Sequence, residues 1–162
     1  MRQDERESLR QRFHFRCGYC GVREQDVGAE LTNDHFQPRS RGGSDEPENW
    51  VYCCHCCNEF KGDFWQPDSI QRILHPLRDD VTANIVQEEN GMLRALTETG
   101  DFHITRLHLN RPQLVAYRIE LRLLEIARER QNGLIAKLQE LEAHVQTLTA
   151  RLAALEHGEL PS

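Results

Sequence analysis

The chain has no apolar run of membrane-spanning length, so no segment of it reads as a transmembrane helix. It has no basic excess either: 20 Lys and Arg stand against 26 Asp and Glu, a net charge of −6. A strong nonspecific duplex binder neutralises many phosphates with Lys and Arg, so that class is disfavoured, although a local basic surface remains compatible with the total. Apolar residues are also scarce. With 38% hydrophobic residues in 162, the chain can build one small domain, or one with an appendage, and its core needs a staple. The opening residues, MRQDERESLRQRF, are charged where a signal peptide is apolar. A cytoplasmic protein is therefore expected. In a reducing compartment its six cysteines point to metal ligation over disulfides.

What is present is concentrated. Cys17-Gly-Tyr-Cys20 and Cys54-His-Cys-Cys57 form two C-x-x-C pairs. Four thiolates so spaced make a closed tetrahedral site suited to a structural Zn²⁺. Cys53 and Cys56 have the same spacing as Cys54 and Cys57, so the second pair is ambiguous. Cys54 and Cys57 are preferred because Cys57 directly precedes Asn58, and Cys53 and Cys56 then read as small packing residues.

Between the pairs lies LTNDHFQPRSRGGSDEPENWVYCCHCCNEFK, residues 31–61. A helix is expected from Asp4 to about Phe13, a strand over Glu30–Phe36, a polar loop over Gln37–Glu48, a returning strand at Trp50-Val51-Tyr52, and a short helix carrying Cys57 to Lys61. That is a β-hairpin crossed by a helix. Asp34 offers a hard anionic oxygen and Asn58 a neutral carbonyl oxygen, a pair that suits Mg²⁺ or Mn²⁺ better than zinc, with waters and phosphate oxygens completing the shell. His35 supplies an imidazole able to take a proton from water. As its strand neighbour it points away from Asp34 unless the strand ends there. Arg39, Arg41 and Lys61 surround the site as candidate phosphate contacts, and Arg10, Arg12 and Arg16 precede the first knuckle. One cation, one base and one water are the means of metal-dependent phosphodiester hydrolysis, so a nuclease is expected.

The pattern C-x-x-C, D-H-x-x-P-x-x-x-G-G, N-W-V and C-x-x-C-N-x-x-K, over residues 17–63, resembles an HNH endonuclease of the ββα-metal (His-Me finger) group in its zinc-knuckle-bearing form. The resemblance implies that His35 is the general base, that Asp34 and Asn58 hold the catalytic metal, and that DNA is the substrate. It also implies that Asn49 braces the loop and orients His35 through backbone hydrogen bonds. The family's usual third residue, His, is Asn58 here, which resembles the H-N-N variants among phage-type junction resolvases. The segment from Pro76 to Asp80 and the Asn90-Gly91 hairpin look like the trailing region of small bacterial HNH proteins. The competing expectation is a zinc-stapled module that binds nucleic acid or protein without chemistry.

Downstream, Asn90-Gly91 between Ile85-Val86 and Met92-Leu93 signals a hairpin, a short helix is expected from about Asp101 to Asn110, and Arg111-Pro112 punctuates the chain. His75, His103 and His108 read as structural or surface residues. From Gln113 to about His157 the chain reads as helix. Leu134, Leu138, Leu141, Val145, Leu148, Leu152 and Leu155 alternate four- and three-residue steps, a heptad seam. In a parallel pair, Lys137 meets Glu142′ and Arg151 meets Glu156′. The seam fits a homodimer through this helix, or a helical partner protein, against the plainer reading of an amphipathic helix packed on its own domain. Upstream, the stripe Leu114, Tyr117, Leu121 and Leu124 loses phase near Asn132-Gly133. One continuous helix is expected there over an αα-hairpin, since Gly inside a helix costs only about 1 kcal/mol relative to Ala. The expected fold class is α+β, with a nuclease core at 1–66, a hairpin and short-helix extension at 67–110, and the long helix at 111–158.

Overall fold

Two short antiparallel hairpins, each overlaid by helix, organise the first part of the chain. The computed structural model describes residues 2–156. α1 (Gln3–Arg12) packs on the hairpin of β1 (Thr32–His35) and β2 (Trp50–Cys53), with α2 (Glu24–Val27) between α1 and β1 in sequence. α3 (His55–Lys61) crosses β1, which completes the expected hairpin-and-helix arrangement. The second hairpin, β3 (Ile85–Gln87) with β4 (Leu93–Ala95), carries α4 (Glu98–Arg106). α5 (Pro112–Glu156) starts on a proline, which suits the first helical position because it has no N–H to leave unsatisfied. Asn132 and Gly133 lie inside α5, so there is no αα-hairpin. The expected end of this helix at 157–158 lies outside the described residues. The α+β class holds.

The chain divides into a unit up to Arg118 and a second from Ile119. The division expected after residue 66 does not separate two units, because Ile73, Leu74, Ile85, Ile104, Leu107 and Leu109 share one core with Leu9, Val51 and Tyr52. Nor does the first unit end at residue 110. Leu114 is buried in that core, and Arg118 donates to the carbonyls of Gly91 (2.9 Å) and Leu109 (2.6 Å). The second unit is the remainder of α5. Among the described residues, no helix is long and apolar enough to cross a membrane.

The register of the first hairpin places the polar chemistry. Asp34 pairs with Val51 and His35 with Trp50. Alternation sends Asp34 into the core, where it is 5% exposed, and His35 to the other face beside Trp50. The loop between the strands folds back on itself at Gly42-Gly43. Gly42 takes φ +80°, and a Cβ on Gly43 would lie 1.8 Å from the Gln37 carbonyl oxygen, so neither position accepts a side chain without strain.

Candidate active site and metal centre

The two knuckles meet. The Sγ atoms of Cys17, Cys20, Cys54 and Cys57 all lie within 4.8 Å of one another, with Cys20 and Cys54 at 3.7 Å. Sulfurs about 2.3 Å from a tetrahedral zinc are about 3.8 Å apart, so the cluster has the dimensions of such a site. Backbone geometry prepares it: Cys17 N–H donates to the Val22 carbonyl (2.8 Å), Gly21 N–H to the Cys17 carbonyl (2.9 Å), and Cys20 N–H points at Cys17 Sγ (3.4 Å). Hydrogen bonds from Cys17, Cys20 and Cys57 pull the Cys54 thiol far below its ordinary value. The four thiols are thus positioned to bind a metal. Cys53, the rival ligand, is buried beside Thr32 as a packing residue, as expected. Cys56 is not: it is exposed, because it faces outward on the first turn of α3.

An open cleft of about 300 Å³ gathers Asp34, His35 and Asn58, joined on its rim by Asn33, Arg39 and Asp63. Three elements contribute: β1 supplies Asp34 and His35, the interstrand loop Arg39, and α3 Asn58. A larger groove of about 580 Å³ is lined by Asp45, Trp50 and α1 residues such as Glu5 and Arg12, and no histidine lines it.

Asp34 accepts from Tyr19 Oη at Oδ2 (2.7 Å) and from Lys61 Nζ at Oδ1 (3.0 Å). Burial pushes its carboxyl above the ordinary range, against the opposing pull of the Lys61 ammonium and the Tyr19 hydroxyl. A carboxylate has about four lone-pair sites, so these two bonds leave room for a cation. Asn58 donates from Nδ2 to Thr32 Oγ1 (3.4 Å), which leaves its carbonyl oxygen for the same use. One hard anionic and one neutral oxygen facing an open cleft fit a Mg²⁺-like ion that keeps most of its waters.

Lys61 differs from expectation. Its side chain is 0% exposed, and Nζ also donates to the His35 carbonyl (2.8 Å), so it braces the strand carrying both site residues and presents no surface to nucleic acid. Arg39 and Arg41 are exposed as expected, but Arg39 is held by Asp45 through contacts of 2.6–2.9 Å. Asn49 is a brace: Oδ1 accepts from Gln37 N–H (2.8 Å), and Nδ2 donates to the carbonyls of Gln37 (3.0 Å) and Ser44 (2.8 Å). Its backbone carbonyl accepts from Phe36 N–H (2.8 Å), one residue after His35.

Sequence reasoning missed Asp45 and Tyr19. His35 Nε2 lies 2.7 Å from Asp45 Oδ1, and its ring lies against Trp50, tilted by 40° with centroids 3.8 Å apart. Arg39 and His35 hold the Asp45 carboxyl below its usual range. An ionised carboxylate only accepts, so Nε2 carries the hydrogen and Nδ1 is left as the basic nitrogen. The signal was local: Asp45 follows the Gly-Gly turn that folds the loop back toward His35. Tyr19, between the first two cysteines, had no sequence signal linking it to Asp34.

Residues 17–64 match the family described as HNH endonuclease. No curated protein and no solved structure matches the chain.

Proposed function

We propose that the HNH endonuclease domain at residues 17–64 works as a metal-dependent DNA endonuclease, and that its four-thiol cluster holds a structural zinc. The observation that carries this reading is the shared cleft of Asp34, His35 and Asn58 inside the family-matched segment. Asp34 and Asn58 would hold Mg²⁺ or Mn²⁺, which when bound neutralises charge on the phosphate. His35, with Nε2 committed to Asp45 and its ring clamped by Trp50, takes the proton of the attacking water on Nδ1. The water oxygen then bonds to phosphorus as the bond to the departing sugar oxygen breaks. Lys61 and Tyr19 fix the Asp34 carboxylate, and Asn49 fixes the loop carrying Asp45. Arg41, and Arg39 once a phosphate replaces Asp45 as its partner, are the candidate backbone contacts.

A non-catalytic module is the competing reading, and the acidic net charge of −6 is the observation in its favour. Incubating the zinc-loaded protein with supercoiled, linear, branched and single-stranded DNA, with Mg²⁺ or Mn²⁺ and with EDTA, separates the two. The nuclease reading expects metal-dependent cutting of at least one form. Binding without cutting in all of them would establish the module.

A further inference from the structure

The second unit carries its largest apolar surface in the open. Leu134, Leu138, Leu141, Val145, Leu148, Leu152 and Leu155 are 43–63% exposed along one stripe of α5. A lone helix with such a stripe is marginal in water, and contiguous exposed apolar patches of this kind mark interaction surfaces. We propose that this stripe pairs with the same stripe of a second copy of the chain, as a parallel two-stranded coiled coil.

The spacing is that of a coiled-coil seam, with Leu134, Leu141, Leu148 and Leu155 at d, and Leu138, Val145 and Leu152 at a. Because α5 is unbroken, the helix continues upstream of the seam, where the same count puts a polar Gln131 at a and a small Ala127 at d. Leucine at every d of the seam, with a β-branched valine at its central a, favours two strands.

The charges beside the seam choose both partner and direction. The g positions are Lys137, His144 and Arg151, and the e positions include Glu142 and Glu156. A parallel pair sets g against e′, so Lys137 meets Glu142′; the sequence sets Arg151 against position 156′, whose side chain lies outside the described residues. An antiparallel pair sets g against g′ and e against e′, which brings like charges together. One chain supplies both the basic and the acidic edge, so the seam is complementary to itself and needs no second protein. In a parallel pair, chain order then delivers both N-terminal units to the same end of the coil. The pairing does not depend on the nuclease reading.

Analytical ultracentrifugation of the full zinc-loaded chain in reducing buffer, at tens of micromolar, tests the proposal. The expected mass is that of a dimer, and Leu141→Glu with Leu148→Glu gives a monomer. Lys137→Glu with Arg151→Glu leaves the apolar seam intact but should raise the dissociation constant about tenfold or more. Mixed with the unchanged chain, this charge variant keeps half of the attractive g–e′ pairs, so the mixed dimer should have an affinity between those of the two homodimers. A monomeric or trimeric full chain overturns the proposal. A charge variant that pairs with the unchanged chain more tightly than the unchanged chain pairs with itself overturns the parallel direction.

Discussion

The Lys61 ammonium lies 3.0 Å from the Asp34 carboxylate, and the two side chains are 0% and 6% exposed. An expected metal ligand is therefore also half of a buried ion pair. Removing one member of such a pair leaves the other uncompensated, at a cost of about 3–5 kcal/mol. Lys61→Met should accordingly lower the denaturant midpoint sharply. A phosphate-contacting lysine would instead lose DNA affinity with its stability intact, and equilibrium unfolding beside a DNA titration distinguishes the two. The pair also makes Asp34→Ala a poor probe of metal binding, because it strands Lys61. Asn58→Ala, which breaks only a 3.4 Å contact to Thr32, is the cleaner variant.

Under the proposed function, Asp45 positions His35 through the 2.7 Å contact at Nε2. Asp45→Asn keeps a polar side chain beside His35 but no longer demands a hydrogen on Nε2, and it releases Arg39 for phosphate. The cutting rate at saturating DNA should fall about tenfold or more, while KM stays level or drops. An unchanged rate would mean that Asp45 does not orient the base.

The metal centre predicts about one zinc per chain by elemental analysis. Cys17→Ser or Cys57→Ser should lose that zinc and much of the folding stability, since ligand binding and folding are one transition in small metal-stapled domains. Cys56→Ser, on an exposed side chain, should change neither. A stable wild-type chain without metal contradicts this assignment.

Burial pushes His103 down to about 4, and its Nδ1 accepts the Leu74 N–H at 2.9 Å, which requires a neutral ring. An unfolded histidine titrates near 6.5, so between these values the unfolded chain binds more protons. Stability from this group is therefore complete above about pH 6.5 and is lost as pH falls toward 4, a change on the order of 3 kcal/mol. Unfolding midpoints measured at pH 7.5 and pH 5 should drop less for His103→Asn than for the wild type. Acid loss of the thiolate metal affects both proteins, so the difference isolates the histidine. Equal drops would place a charged ring in the fold.

The cysteine pairs, the hairpin and the Asp-His-Asn set were legible because each is written in local spacing. Two C-x-x-C pairs announce a thiol cluster, and strand alternation already separates Asp34 from His35. The course of α5 through Asn132-Gly133 was legible for a similar reason, since a single glycine costs a long helix little. What was not legible depended on tertiary placement. Lys61 looks like a surface cation at the end of a short helix, and only the crossing of α3 over β1 turns it inward to Asp34. Cys56 looks like packing until the helical phase of α3 turns it outward. The unit boundary near Arg118 follows from hydrogen bonds to Gly91 and Leu109, long-range partners that no periodicity announces.

The central claim is that His35 is the base of a metal-dependent nuclease, and one comparison tests it most directly. Wild type and His35→Ala, matched for zinc content and unfolding midpoint, are incubated with supercoiled plasmid and Mg²⁺ or Mn²⁺ at one pH. The wild type should nick the plasmid and stop on addition of EDTA, and His35→Ala should bind DNA equally well but cut about 100-fold more slowly or less. Cutting by His35→Ala at the wild-type rate would contradict the account.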